Sequence, residues 1–93
     1  MYYIYVIYSK KHDFMYVGYT KNLKNRLIKH NKGNVKTTKE YKPFELIYYE
    51  AYSDKQDAIT REYKLKHQGS SVGHLKKRIN NSLTECRNQK GGV

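Results

Sequence analysis

Tyr2-Tyr3-Ile4-Tyr5-Val6-Ile7-Tyr8-Ser9 is aromatic or β-branched up to its final serine. Such a run fits a strand covered on both faces, which places it at the centre of a sheet. Lys10-Lys11-His12-Asp13 is a polar loop, and Phe14 to Tyr19 reads as a second strand, so the two form a hairpin. Side chains alternate along a strand, so Tyr3 and Tyr5 point one way while Ile4 and Val6 point the other. Gly18 ends the second strand, where a backbone or ligand can come close.

Thr20 is the expected N-cap of a helix running to about Asn31, with Leu23, Leu27 and Ile28 as its apolar stripe. Arg26 and His30 are one turn apart on an edge of that stripe. Lys21, Lys24 and Lys29 spread over the remaining surface as candidate nucleic-acid contacts. Gly33 marks the stop. The polar stretch from Val35 to Lys42 reads as a flexible crossover. Pro43 opens a third strand from Phe44 to Tyr52, an acceptable place for a residue without an N–H. Asp54, with Asp57 three later, approximates a capping box for a helix from Lys55 to about His67, and Gly69 supplies its stop. Ser71 caps a last helix carrying Val72, Leu75, Ile79 and Leu83 at helical spacing.

The order β-β-α-β-α-α predicts an α/β chain of the α+β type: a small three-stranded, mainly antiparallel sheet flanked by three helices. Residues 1–85 form one domain, and 86–93 read as a disordered tail.

The chain has 93 residues, 19 Lys plus Arg against 8 Asp plus Glu, and a net charge of +11. Charge of this size concentrates polyanions around a small domain, which favours nucleic acid as partner over a membrane surface. The lone Cys86 cannot form an internal disulfide, and a reducing, cytoplasmic compartment is the simple inference. No apolar run approaches the roughly 18 residues of a membrane helix. The eleven tyrosines are mostly strand packing, since tyrosine buries its ring and wets its hydroxyl.

Glu62 is the next most informative residue. Ala58, Glu62 and Leu65 are spaced i, i+4, i+7, a core-facing stripe, where a carboxylate is costly unless paired or bound to a metal. Two readings stand: Glu62 lies at the edge of the stripe and pairs with a lysine, or it holds a cation. Arg26 and His30 are equally divided between a basic helix edge and a phosphate-binding, proton-moving pair. Phenols, a guanidinium, an imidazole and one carboxylate are together the parts needed to cut a phosphodiester with a single metal ion.

Tyr3-Ile4-Tyr5, ten intervening residues, then Tyr16-Val17-Gly18 resembles the signature of the GIY-YIG nucleases. The stretch from Tyr16 to His30 is similar to the family's strand-to-helix segment, including its arginine, and Ala58 to Lys66 to the helix with its metal-binding glutamate. The likeness spans roughly residues 2–67 and looks closest to the small stand-alone bacterial members. It extends to the N-terminal incision domain of the nucleotide-excision-repair endonuclease.

The resemblance implies that Tyr5 and Tyr16 orient or deprotonate the attacking water and that Arg26 holds the scissile phosphate. It further implies that His30 relays a proton or touches phosphate, and that Glu62 is the sole protein ligand of one Mg2+ or Mn2+. Tyr3 stands where the family name has glycine, and Tyr19 where the repair enzymes carry lysine. Asn80 and Asn81 are both candidates for a late family asparagine. The expectation is a metal-dependent endonuclease-type domain acting on DNA rather than RNA, as a monomer or directed by a protein partner. The rivals are a non-catalytic nucleic-acid-binding module and a protein-pairing scaffold.

Overall fold

The computed structural model describes residues 1–88. β1 (Tyr2–Ser9) is the central strand of a three-stranded sheet of order β2-β1-β3, with β2 spanning Phe14–Thr20 and β3 Glu45–Tyr52. Both pairings are antiparallel, with Tyr5 opposite Gly18 and Ile7 opposite Tyr16 on one side, and Tyr5 opposite Tyr49 on the other. α1 (Leu23–Asn31) follows β2, and α2 (Lys55–His67), α3 (Gly69–Arg78) and α4 (Asn80–Asn88) follow β3.

The unbroken apolar run of β1 has the expected cause. On one face Ile4 and Val6 are fully buried with Val17, Ala58, Leu65, Leu75 and Ile79, beneath α2 and α3. On the other, Tyr5 and Ile7 pack with Phe44 and, from α1, Leu23 and Leu27. Tyr8 closes a third cluster with Leu83 and Cys86 of α4.

A four-residue clamp fixes α2 on the sheet. Arg61 donates from Nε and Nη2 to the two carboxylate oxygens of Glu50, at 2.9 and 3.0 Å. The Tyr48 and Tyr52 hydroxyls donate to the same carboxylate at 2.7 and 2.5 Å. Burial would raise the Glu50 pKa, but the bonds from Arg61, Tyr52 and Tyr48 outweigh it and hold the carboxyl below its usual range. Burial, and then donation to Glu50, pushes Tyr52 up to about 12. Arg61→Met should therefore lower unfolding free energy by about 3 kcal/mol, the low end for stripping one partner from a buried ion pair, as read by urea denaturation. Neither residue stands out in the sequence, because a glutamate in a strand and an arginine in a helix form a pair only once the fold brings them together.

Several local expectations give way to geometry. Asn22, not Thr20, caps α1, its side chain accepting from Asn25 N–H at 3.0 Å. Thr20 extends β2 by one residue and its hydroxyl accepts from the Asn22 N–H instead. Gly33 does end the helix region, at φ +76°.

The stretch 35–42 is ordered rather than a flexible crossover. It makes a 3-10 turn at Lys39–Tyr41, and Thr38 is fully buried. Gln68, not Gly69, follows α2, and Gly69 opens α3 with no side-chain cap from Ser71. The expected last helix is two. The apolar positions run on at helical spacing, but the backbone breaks at Ile79, and α4 turns to seat Leu83 and Cys86 against Tyr8. Among the described residues the sheet thus carries four helices. Residues 86–88 belong to α4 rather than to a tail, with Cys86 buried and its thiol donating to Glu45 Oε2 at 3.0 Å. The rest of the expected tail, 89–93, lies outside the described residues.

Candidate active site

Tyr5 stands opposite Gly18 in the β1–β2 ladder, and its ring lies over that glycine. A Cβ on Gly18 would sit 2.3 Å from the phenol oxygen and 2.4 Å from Cζ, so the position demands glycine for space rather than for backbone conformation. The hydroxyl that passes over Gly18 reaches α1. It lies 2.7 Å from His30 Nε2 and 3.2 Å from Arg26 Nε, two side chains that one helical turn places on the same edge. His30 Nδ1 is in turn 2.6 Å from Thr38 Oγ1. Arginine can only donate, so the Tyr5 oxygen accepts from it. The arrangement that satisfies every group then has Tyr5 donating to His30 Nε2, and His30 Nδ1–H donating to Thr38. The Arg26 Nε is committed to Tyr5, which leaves the terminal nitrogens of the guanidinium to meet a ligand.

Burial sets the protonation states in this chain. Tyr5 is 2% exposed, and desolvation raises its pKa. Arg26 opposes that rise, while Tyr16 and Glu62 add to it. The Tyr5 phenol therefore stays protonated at neutral pH. His30 is fully buried, and burial together with the Arg26 charge lowers its pKa to about 4. The imidazole is neutral near pH 7 and shielded from solvent. It is thus in position to hold and orient Tyr5, and not to touch a phosphate.

Arg26, Tyr5, Tyr16 and Thr38 surround the ring. Its folded pKa lies below its ordinary 6.5, so the stability it confers is complete above that value and is withdrawn as pH falls towards 4. The loss should be on the order of 3 kcal/mol. Glu50, Glu45 and Asp13, whose pKa values are also lowered, lose stabilising interactions in acid. The check is therefore the difference between wild type and His30→Gln in urea unfolding, at neutrality and near pH 4. The variant should show the shallower acid limb.

Tyr16 sits on the edge strand with its ring 5.4 Å from that of His30, half-buried. Lys66 Nζ lies 4.9 Å from the centre of the Tyr16 ring and 3.3 Å from Glu62 Oε2. The Glu62 side chain is 26% exposed, at the edge of the α2 stripe whose buried members are Ala58 and Leu65. One connected series therefore runs Arg26–Tyr5–His30–Tyr16–Lys66–Glu62, drawn from β1, β2, α1 and α2. All five residues singled out for chemistry are in it. Lys66 within the series, and Thr38 behind His30, are the residues that sequence reasoning missed. Lys66 is one turn after Glu62, so its spacing alone would have paired the two. Nothing in the sequence around Thr38 marks it as the partner of a buried histidine.

A family model of the GIY-YIG catalytic domain matches residues 1–80. The chain belongs to the GIY-YIG family. GIY-YIG domains are a nuclease superfamily, so family membership implies a nuclease-type function.

Among similar proteins is a UPF0213 protein of Staphylococcus saprophyticus, 42% identical over 65 residues that cover 69% of this chain and 78% of that one. A UPF0213 protein of Lactiplantibacillus plantarum is 41% identical over 74 residues, 76% of this chain and 72% of its own. The solution NMR structure of a UPF0213 protein from Bacillus halodurans superposes with a TM-score of 0.53 at 26% identity, covering 97% of this chain and all of the other.

In this GIY-YIG domain no group of three or more His, Cys, Asp or Glu converges among the described residues, which excludes a zinc-type cage there. A single half-buried carboxylate fits Mg2+ or Mn2+ better, since magnesium keeps several waters and takes one or two protein carboxylates plus phosphate oxygens. Glu62 would be that ligand. Lys21 and Lys29 line a shallow groove with Arg26, while Lys24 is exposed on α1 outside it. Tyr19, on the opposite side of β2 from Tyr16, packs into the core under α2. Asn80 and Asn81 are exposed at the start of α4. Among the described residues no helix is long and apolar enough to cross a membrane.

Proposed function

We propose that this domain is a metal-dependent endonuclease that hydrolyses phosphodiester bonds in DNA, acting as a cytoplasmic monomer. The observation that carries the reading is the convergence of Tyr5, Tyr16, Arg26 and Glu62, from four separate elements, into one connected set. Arg26, steered by the Tyr5 hydroxyl, presents its free guanidinium edge to a phosphate oxygen. Tyr5 stays a phenol, held by His30, and positions rather than deprotonates. Tyr16, on the open edge strand, orients the attacking water. The water oxygen bonds to phosphorus and gives up a proton to solvent, the bond to the 3′ oxygen breaks, and the leaving oxygen takes a proton from solvent. Glu62 would hold a divalent ion, which would neutralise charge developing on the phosphoryl group and leaving oxygen.

Supercoiled, branched and single-stranded DNA incubated with Mg2+ or Mn2+ tests this reading, the expected result being nicked or shortened products that vanish on chelation. Lys66 occupies the Glu62 carboxylate when no cation is bound, so the two compete. Lys66→Met should tighten Mn2+ binding by about fivefold in calorimetric titration, since a partly exposed ion pair is worth up to ~1 kcal/mol. Lys64→Met controls for the general loss of positive charge. The same Lys66–Glu62 pair favours a second reading, a nucleic-acid-binding domain that cuts nothing. Salt-sensitive DNA binding unchanged by Glu62→Ala, with no cleavage under either metal, would select it.

A further inference from the structure

A cavity of about 520 Å³ opens beside Tyr16 and Lys66 and runs between β2 and helices α2 to α4, away from the α1 side of the site. Its volume falls in the range that encloses one small organic molecule. The floor is apolar, made of Val17, Leu65, Val72 and Leu83. Its walls carry three cations, Lys66, Lys76 and Arg87, against a single carboxylate, Asp13.

The far end is built rather than incidental. The Tyr8 hydroxyl donates to Asp13, and Arg87 Nε donates to both the Tyr8 oxygen and Asp13, at 3.1 and 3.2 Å. Lys76 also acts electrostatically on Asp13, so two cations from two helices converge on one anion and leave net positive charge there. An apolar floor with a cationic end suits a ligand that has a flat, weakly polar body and an anionic tail. It also shares Tyr16, the residue assigned to the attacking water, with the proposed site.

We infer that this groove binds one unpaired nucleotide flanking the scissile phosphate, its base over the Val17–Val72 floor and its phosphate drawn to Lys76 and Arg87. The inference rests on the proposed nuclease reading and extends it to a substrate with a single-stranded flank. An unpaired base exposes its apolar faces to such a floor, whereas a base within a duplex keeps them stacked on its neighbours.

The test uses a short fluorescein-labelled oligothymidylate with the full chain in chelator, so that nothing is cut. Lys76→Glu should weaken binding about tenfold and reduce the slope of log affinity against log salt by about 1. Because Arg87 also ties α4 to Tyr8, its charge reversal is not relied upon. Instead, NMR shifts of the Val72 and Leu83 methyls in the unaltered protein should move on titration. Binding that leaves both methyls and the Lys76→Glu affinity unchanged overturns the groove while the nuclease reading stands. Failure to bind or cut any polynucleotide overturns both.

Discussion

Glu62→Ala is expected to lower DNA cleavage by at least ~10²-fold while leaving the melting temperature within a few degrees of wild type, because the loss is of charge stabilisation, commonly worth about 3 kcal/mol or more. Its carboxylate is only partly buried, its ion-pair partner among the described residues is Lys66, and it is not one of the buried stripe residues Ala58 and Leu65. The fold therefore does not depend on it. Tyr16→Phe should produce a loss of similar size with DNA binding retained, since the ring and its contacts with His30 and Lys66 survive and only the hydroxyl proposed to orient water goes. Plasmid nicking in Mg2+ or Mn2+, alongside thermal denaturation, measures both. Cleavage that persists in the two variants would sink the assignment of the reaction to this site.

Gly18→Ala should be the most damaging small change in the chain. A methyl there demands that the Tyr5 phenol retreat by the better part of an ångström, yet the ring is 2% exposed and its oxygen is held by Arg26 and His30. Overpacking of this kind costs about 2–3 kcal/mol, and in a domain of this size each kcal/mol lowers the melting temperature by roughly 4–8 °C. Activity should fall further than stability alone explains, because a displaced Tyr5 no longer aims Arg26. Tyr5→Leu in the Gly18→Ala background removes the clash without restoring the hydroxyl. It should return part of the lost stability and none of the lost cleavage, in calorimetry and the nicking assay respectively.

The parts of the fold that are legible in the sequence are those written in continuous runs. β1 is aromatic or β-branched from Tyr2 to Tyr8 because both its faces are covered, and that alone places it in the middle of the sheet. Asp54 and the stripe that follows give α2 its limits. The site residues are legible as a set because short motifs carry them.

What cannot be read are partnerships between residues far apart in the chain. Thr38 sits in a polar stretch that looks like any loop, yet its hydroxyl satisfies a fully buried imidazole. Cys86 follows a polar run, but the bend at Ile79 turns it inward onto Tyr8. Apolar periodicity continues across that bend, so the pattern contains no sign of it. The protonation of His30 is equally hidden. A histidine beside an arginine reads as a proton carrier, and only its depth shows that it stays neutral.

Tyr5 belongs to the hydrophobic interior and to the proposed reaction centre at once. Warmth that loosens the packing around its ring also slackens the aim of the guanidinium beyond it. Such a molecule has little scope for a folded but idle state: heat would disarm it and unmake it together.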